Sequence, residues 1–348
     1  MTDRSQATAA STTEMFREAA ESGDAVARQA RDAATLKRIG QRLRERAPAI
    51  VLTCARGSSD HAATFAKYAI ETRVGVPVVS AAPSVASVYA SSLRVDGAAC
   101  IAISQSGKSP DLLATVASLK AGGAWVLALV NDTGSPLADL ADEVLDLAAG
   151  PERSVAATKS FIASLSAIAR VVAEWADDAE LRAALDGLPS QLAGAWALDW
   201  SVLAEELAGA TDLYVLGRGV GFAVAQEAAL KLKETSQLHA EAFSTAELRH
   251  GPMALVRPGF PALMFSQSDE TERNVQDTAA ALLERGARVF LAGAEAADAL
   301  RLPAIRSTPL LEPILQIQSF YRAADALARA RGLDPDRPPH LAKVTETR

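Results

Sequence analysis

The chain has 348 residues, 49% of them hydrophobic, and a formal net charge of −7. At roughly 150 residues per domain, this favours two domains with sizeable cores. The acidic balance leaves no basic excess for a phosphodiester backbone, which argues against a nucleic-acid partner.

Residues 1–13 are polar and small, lack the charged-then-apolar order of a secretion signal, and are expected to form a disordered tail. A long helix is expected over 14–46. An alternation follows. Short apolar runs at 49–54, 77–81, 100–104, 125–130 and 143–149 read as strands, with helices near 61–73, 84–91 and 110–121 between them. Strands separated by helices signify βαβ units and a parallel sheet, and their near-continuous apolar character says that helices cover both faces. Helical stretches over 157–176 and onward to about 209 lead to a second round. There 213–217, 261–265 and 287–293 read as strands, and 222–235 and 310–331 as helices. Arg56-Gly57 and Arg218-Gly219 each follow a strand and precede a helix ending in Glu-Thr, so an internal duplication is the simplest account. The expected division is 1–13 tail, 14–190 first domain, 191–332 second domain and 333–348 a carboxy-terminal tail closing the site.

No apolar run approaches the roughly 20 residues of a bilayer span. Cys54 and Cys100 lie in apolar strand-like runs and read as buried free thiols, as suits a reducing cytoplasm. A soluble, cytoplasmic protein is expected.

Four stretches can carry chemistry. SQSGKSPD, Ser104 to Asp111, joins a strand to a helix. Its hydroxyls, its glycine and the unpaired amides of a helix N-terminus suit a phosphate. The competing reading is an ordinary turn in which Ser106 or Ser109 caps the helix. The spacing is not that of a nucleotide-binding loop. The turn at 57–60 adds hydroxyls from Ser58 and Ser59, and turns at the carboxyl ends of a parallel sheet converge. ERSVAATKS, Glu152 to Ser160, is a loop entering a helix. In the stretch 230–252, Lys231 and Glu234 share a helix face, which on an arbitrary helix is a solvated salt bridge. His250 precedes Gly-Pro in a turn, and a carboxylate with an imidazole near one pocket is what proton shuttling between neighbouring carbons needs. HLAKVTE, from His340, holds a lysine that is either solvated or folded into the pocket, where an amine can form a Schiff base. The four histidines make no metal-ligating pair, and no cofactor or metal is expected.

GSSDHA, SQSGKSPD, ERSVAATKSF, EAALKLKET, HAEAF, ELRHGP and HLAK together resemble the sugar isomerase (SIS) domain family, more narrowly the isomerase part of glucosamine-6-phosphate synthase. The resemblance runs in order over about 14–348. It implies an α/β fold of two tandem three-layer α/β/α units, each with a five-stranded parallel, flavodoxin-like sheet, in a homodimer. It implies that Ser58, Ser59, Ser104, Gln105, Ser106 and Ser109 hold the substrate and its phosphate. Glu234 falls on the base moving a proton between C1 and C2, and Lys231 on a position supporting the developing charge. His250 falls on the ring-opening histidine contributed to the neighbouring subunit's site. Lys343 falls on the Schiff-base lysine, and Val155 and Ala342 on backbone contacts to the sugar.

Two positions depart from the family: Ala157 stands where a serine is usual, and Lys108 where an acidic residue is usual. Residue 2 is Thr2 rather than a nucleophilic cysteine, and the chain is too short for a glutaminase domain. The resemblance therefore points to a hexosamine 6-phosphate substrate and an isomerising glucosamine-6-phosphate deaminase. The alternatives are a fructosamine-6-phosphate deglycase, a glutaminase-lacking aminotransferase or isomerase, and a phosphosugar-sensing regulatory module.

Overall fold

A computed structural model describes residues 12–343. The tail expected over 1–13 and the last residues of the tail expected over 333–348 lie largely outside that range.

The expected single helix over 14–46 is three: α1 (Glu14–Ala20), α2 (Ser22–Gln29) and α3 (Ala33–Arg46). The chain turns at Glu21 and again at Asp32, whose carboxylate accepts from the Thr35 amide at 3.3 Å and starts the last of them. The first sheet unit then runs β1 (Val51–Cys54), α4 (Ser58–Arg73), β2 (Val78–Ser80), α5 (Pro83–Ser87), β3 (Ala99–Ser104), α6 (Pro110–Ala121), β4 (Trp125–Val130), α7 (Pro136–Leu140), β5 (Glu143–Asp146) and α8 (Lys159–Trp175). Three connecting helices follow: α9 (Ala179–Asp186), α10 (Leu188–Trp196) and α11 (Ser201–Leu207). The second unit runs β6 (Asp212–Gly217), α12 (Gly221–Ser236), β7 (His239–Ser244), β8 (Pro261–Phe265), α13 (Glu272–Leu283), β9 (Arg288–Ala292), β10 (Leu300–Leu302) and α14 (Glu312–Ala330).

Both sheets are five-stranded and wholly parallel. The first has the order β2-β1-β3-β4-β5 and the second β7-β6-β8-β9-β10. These are the same order counted within each unit, so the duplication read from the repeated Arg-Gly turns extends to the topology.

The strands alternate between two cores, as a period of two requires. Val51, Ile101, Ile103, Leu127 and Leu129 point into a large central core, while Leu52, Cys100, Ala102 and Val126 point into a smaller one under α6. In the second sheet Leu213 and Val215 join the central core, and Tyr214 and Leu216 a third under α13. The central core therefore lies between the two sheets, filled by α4, α8, α12 and α14. One consequence decides the site: α12, whose sequence belongs to the second unit, packs against α4 of the first.

Two strands, β7 and β10, are absent from the sequence reading. Both are edge strands of the second sheet. β7 reads HAEAFS, with His239 and Glu241 exposed, so it shows no apolar run. β10 has only three residues. Cys54 and Cys100 are buried free thiols. Among the described residues no helix is long and apolar enough to cross a membrane, and no group of side chains is arranged to hold a metal ion.

Candidate active site

In a doubly wound sheet of this order, the crevice opens where the chain leaves neighbouring strands toward opposite faces. Here that point lies between β1 and β3, because α4 covers one face and α6 the other. A cleft of about 220 Å³ occupies it. Ser58, Ser59, Ser104, Gln105, Ser106, Ser109, Val155, Lys231, Glu234, Ala342 and Lys343 all line this cleft. Of the residues expected to hold or act on the substrate, only His250 does not line it. It sits exposed on a 3₁₀ turn, Glu247–His250, after β7.

The loop after β3 is built to present donors. Gly107 has φ +64°, and a Cβ there would stand 2.1 Å from the Ser135 hydroxyl, so only glycine fits. The Ser104 hydroxyl accepts from the Gly107 amide at 3.0 Å and pins the turn. Ser109 occupies the N-cap of α6 with Pro110 behind it, yet its side chain makes no capping bond. The capping alternative for Ser109 is thus not realised, and its hydroxyl faces the cleft at a helix N-terminus, where anions are favoured. Ser58 differs from the other serines: its hydroxyl donates to Glu227 at 3.1 Å.

The floor of the cleft is a buried charge network on α12. Lys231 is almost fully buried and lies 2.5 Å from Glu234 and 3.5 Å from Glu227. A solvated salt bridge, the usual state of such a pair, is therefore not what forms here. Glu227 is completely buried and also accepts from His61 at 2.9 Å and Tyr321 at 3.2 Å. Burial pushes the Glu227 carboxyl up, but Lys231 and the His61 and Ser58 hydrogen bonds outweigh it and hold the pKa below the ordinary value. Burial likewise works against the Lys231 ammonium, and Glu227 with Glu234 holds it charged, its pKa above the ordinary lysine value. Burial, reinforced by Glu227 and Glu152, raises Tyr321 well above the usual phenol value and keeps it neutral. Glu234 lines the cleft beside Lys231, with 18% of its side chain exposed against 1% for the lysine.

Lys343 closes the cleft from the carboxy-terminal segment. Its ammonium donates to the Ser154 carbonyl at 2.6 Å and pairs with Glu152 at 3.2 Å. Glu152 is itself fixed by the Thr158 and Ser160 amides and the Ser160 hydroxyl, at 3.0, 3.1 and 2.6 Å. Burial would raise it, yet Lys343 and those donors leave its pKa lowered.

Sequence reasoning did not single out Glu227, His61, Tyr321 or Arg56 for the site. Glu227 stands four residues before Lys231, a spacing that pairs residues on one helix face. Tyr321 and His61 carry no local signal, since α14 and α4 meet α12 only in the fold. Arg56 lines the cleft mouth and binds Asp111 through two nitrogens at 2.8 and 2.6 Å.

Two parallel-sheet units, with a hydroxyl-lined switch-point crevice completed by a buried Lys–Glu pair, define a tandem doubly wound α/β protein. The SIS domain profile matches residues 47–173 and 206–296, more than half of the chain, and the chain belongs to the SIS domain family. It is 36% identical over 324 residues to the glutamine–fructose-6-phosphate aminotransferase (isomerizing) of Aeropyrum pernix, a match covering 84% of this chain and 50% of that protein. The chain spans about half the length of the curated relatives it matches. Among solved structures, a protein from Silicibacter pomeroyi DSS-3 named as a candidate phosphosugar isomerase superposes with a TM-score of 0.90 at 46% identity, covering 93% of this chain and all of that one. The C-terminal domain of glucosamine-fructose-6-phosphate aminotransferase from Francisella tularensis gives 0.84 at 26% identity, covering 96% of this chain and all of that one.

Proposed function

We propose that this cleft binds the open chain of a hexosamine 6-phosphate and moves a proton between C2 and C1, so that glucosamine 6-phosphate and water yield fructose 6-phosphate and ammonia. The observation that carries the reading is the placement of Glu234 and Lys231 of the second unit in the same crevice as the donor-rich loop of the first.

In this reading the phosphate sits on the Ser104–Ser109 loop and the Ser59 hydroxyl, and this grip, remote from the reacting carbons, supplies orientation. Val155 and Ala342 flank the sugar with backbone groups. Glu234 takes the proton from C2 of the open-chain aldehyde, and the electrons form an enaminol across C1 and C2. Lys231, held cationic, stabilises the developing charge. Return of the proton to C1 leaves an imine at C2, which water hydrolyses to the ketone with loss of ammonia. His250, exposed on its turn, acts in ring opening in the cleft of a second copy of the chain in a homodimer. Lys343 stands where an amine can capture the ketose carbonyl as a Schiff base.

The relatives named as aminotransferases favour a second reading, in which the same proton transfer runs from ketose to aldose with ammonia supplied to C2. The experiment that separates them incubates purified protein with glucosamine 6-phosphate and measures ammonia and fructose 6-phosphate together. Equal release of both, lost by about 10²–10⁴-fold in Glu234→Gln with phosphosugar binding retained, supports the deaminase. Full turnover in Glu234→Gln would refute the assigned base. No ammonia release from glucosamine 6-phosphate, with glucosamine 6-phosphate formed when fructose 6-phosphate and ammonium are supplied instead, would move the assignment to the second reading.

A further inference from the structure

The second sheet has its own switch-point crevice, and it is not a copy of the first. β3 ends in Ser104 and runs on as Gln105-Ser106-Gly107-Lys108-Ser109, and β8 is followed by Ser266-Gln267-Ser268-Asp269-Glu270-Thr271, each leading into a helix. The two strands hold the same place in their sheets. Ser-Gln-Ser is retained. Gly107 and Lys108 are replaced by Asp269 and Glu270, so one cation gives way to two carboxylates. The crevice, about 640 Å³, is lined by this loop, by the Arg218–Val220 turn, and by Tyr68, Thr72 and Arg73 of α4, as α12 lines the first.

The donors differ as much as the sequence. In the first loop Gln105 and Ser109 line the cleft, and among the described residues the Ser109 side chain makes no capping bond. In the second, the Asp269 carboxylate accepts from the Thr271 amide at 2.8 Å, the Thr271 hydroxyl at 2.5 Å and the Gln267 amide nitrogen at 3.0 Å. Glu312, at the start of α14, accepts from the Ser268 amide at 2.7 Å and its hydroxyl at 2.9 Å. Amide and hydroxyl of the residues matching Ser106 and Ser109 are thus all engaged by carboxylates. Gln267 is fully buried, whereas Gln105 is half-buried at the cleft.

We propose that the second crevice is a phosphate site occupied from within: Asp269, backed by Glu312, takes the donors that a phosphoryl group would take, so each chain holds one phosphosugar. A helix N-terminus is satisfied by a carboxylate as well as by a phosphate. The carboxylate is covalently supplied, so a free phosphate monoester has to displace it against like charge from Asp269 and Glu270. The inference rests on the reading of the Ser104–Ser109 loop as the phosphate grip.

The test is the stoichiometry of inorganic phosphate and of fructose 6-phosphate on the full chain by calorimetry. One site per chain is expected for the wild type and none for the double variant Ser106→Ala, Ser109→Ala. Asp269→Gly with Glu270→Lys and Glu312→Ala is expected to add a second site, at least tenfold stronger than any residual binding at that crevice in the wild type, and to leave turnover unchanged. Two sites in the wild type, or one retained in the Ser106→Ala, Ser109→Ala variant, would overturn the proposal, and this arm does not depend on how an Asp269 variant folds. A folded Asp269→Gly, Glu270→Lys, Glu312→Ala protein that still binds one phosphate overturns it as well. Absence of phosphate binding by the wild type would instead refute the grip assigned to the first loop, and the inference with it.

Discussion

Replacing Lys231 by methionine removes the cation from the buried network while keeping most of its volume. Lys231 sits 3.5 Å from Glu227, whose side chain is wholly buried. Without it, Glu227 keeps Ser58, His61 and Tyr321 as donors but loses its ammonium partner. Breaking a buried ion pair from one side costs about 3–5 kcal/mol. Unfolding entropy scales at about 2.1 cal/mol/K per residue, or about 0.7 kcal/mol/K for a chain of this size, so Tm should fall by about 4–7 °C at pH 8. The sign of the pH dependence follows from Glu227. In the intact protein its depressed pKa contributes stability above the ordinary carboxylate pKa, lost as pH falls through the folded value. In Lys231→Met, burial raises that carboxyl, so its penalty is complete above the raised pKa and disappears below the unfolded value of about 4.3. The gap in Tm between variant and wild type, followed by calorimetry from pH 8 to pH 4, should therefore narrow steadily. A gap below 1 °C at pH 8, or one that stays constant across that range, would refute the account of a charge-paired buried Glu227.

Other expectations follow from single features. Gly107→Ala forces a side chain into φ +64° and against Ser135, which is itself fully buried; stability should fall by about 1–3 kcal/mol in chemical denaturation, and KM for the phosphosugar should rise more than kcat falls. Borohydride reduction in the presence of fructose 6-phosphate should add the mass of the sugar phosphate less one oxygen to the wild-type chain and not to Lys343→Met, because imine formation loses water and reduction adds two hydrogens, as read by mass spectrometry. The Cys54 thiol is pushed up to about 12, mainly by burial, and Cys100 is pushed up by burial as well, so neither should react with a disulfide reagent at pH 8 until the chain is unfolded.

What was legible in the sequence was whatever chemistry is local. Apolar runs such as 100–104 and 125–130 named their strands because burial on both faces requires it. The loop at 104–109 announced a ligand end of the sheet because its glycine and hydroxyls are neighbours in the chain. β7 was missed because an edge strand of alternating exposed residues carries no apolar run, and β10 because three residues carry no pattern. The break of the amino-terminal segment into three helices lay in turns at Glu21 and Asp32, which periodicity does not register.

The tertiary structure alone decided which charges meet. Their spacing alone leaves Lys231 and Glu234 compatible with a solvated pair, and it is the packing of α12 against α4 and α14 that buries Lys231 and brings His61 and Tyr321 to Glu227. Lys343 reaches Glu152 across 191 residues of chain. The difference between the two crevices also needed the fold. Ser-Gln-Ser occurs in both, and only the hydrogen bonds show that Asp269 and Glu312 engage the Ser268 and Thr271 donors of the second loop. Hydrophobic period and turn chemistry act between near neighbours and are written along the chain. Desolvation and ion pairing act between residues that only packing brings together.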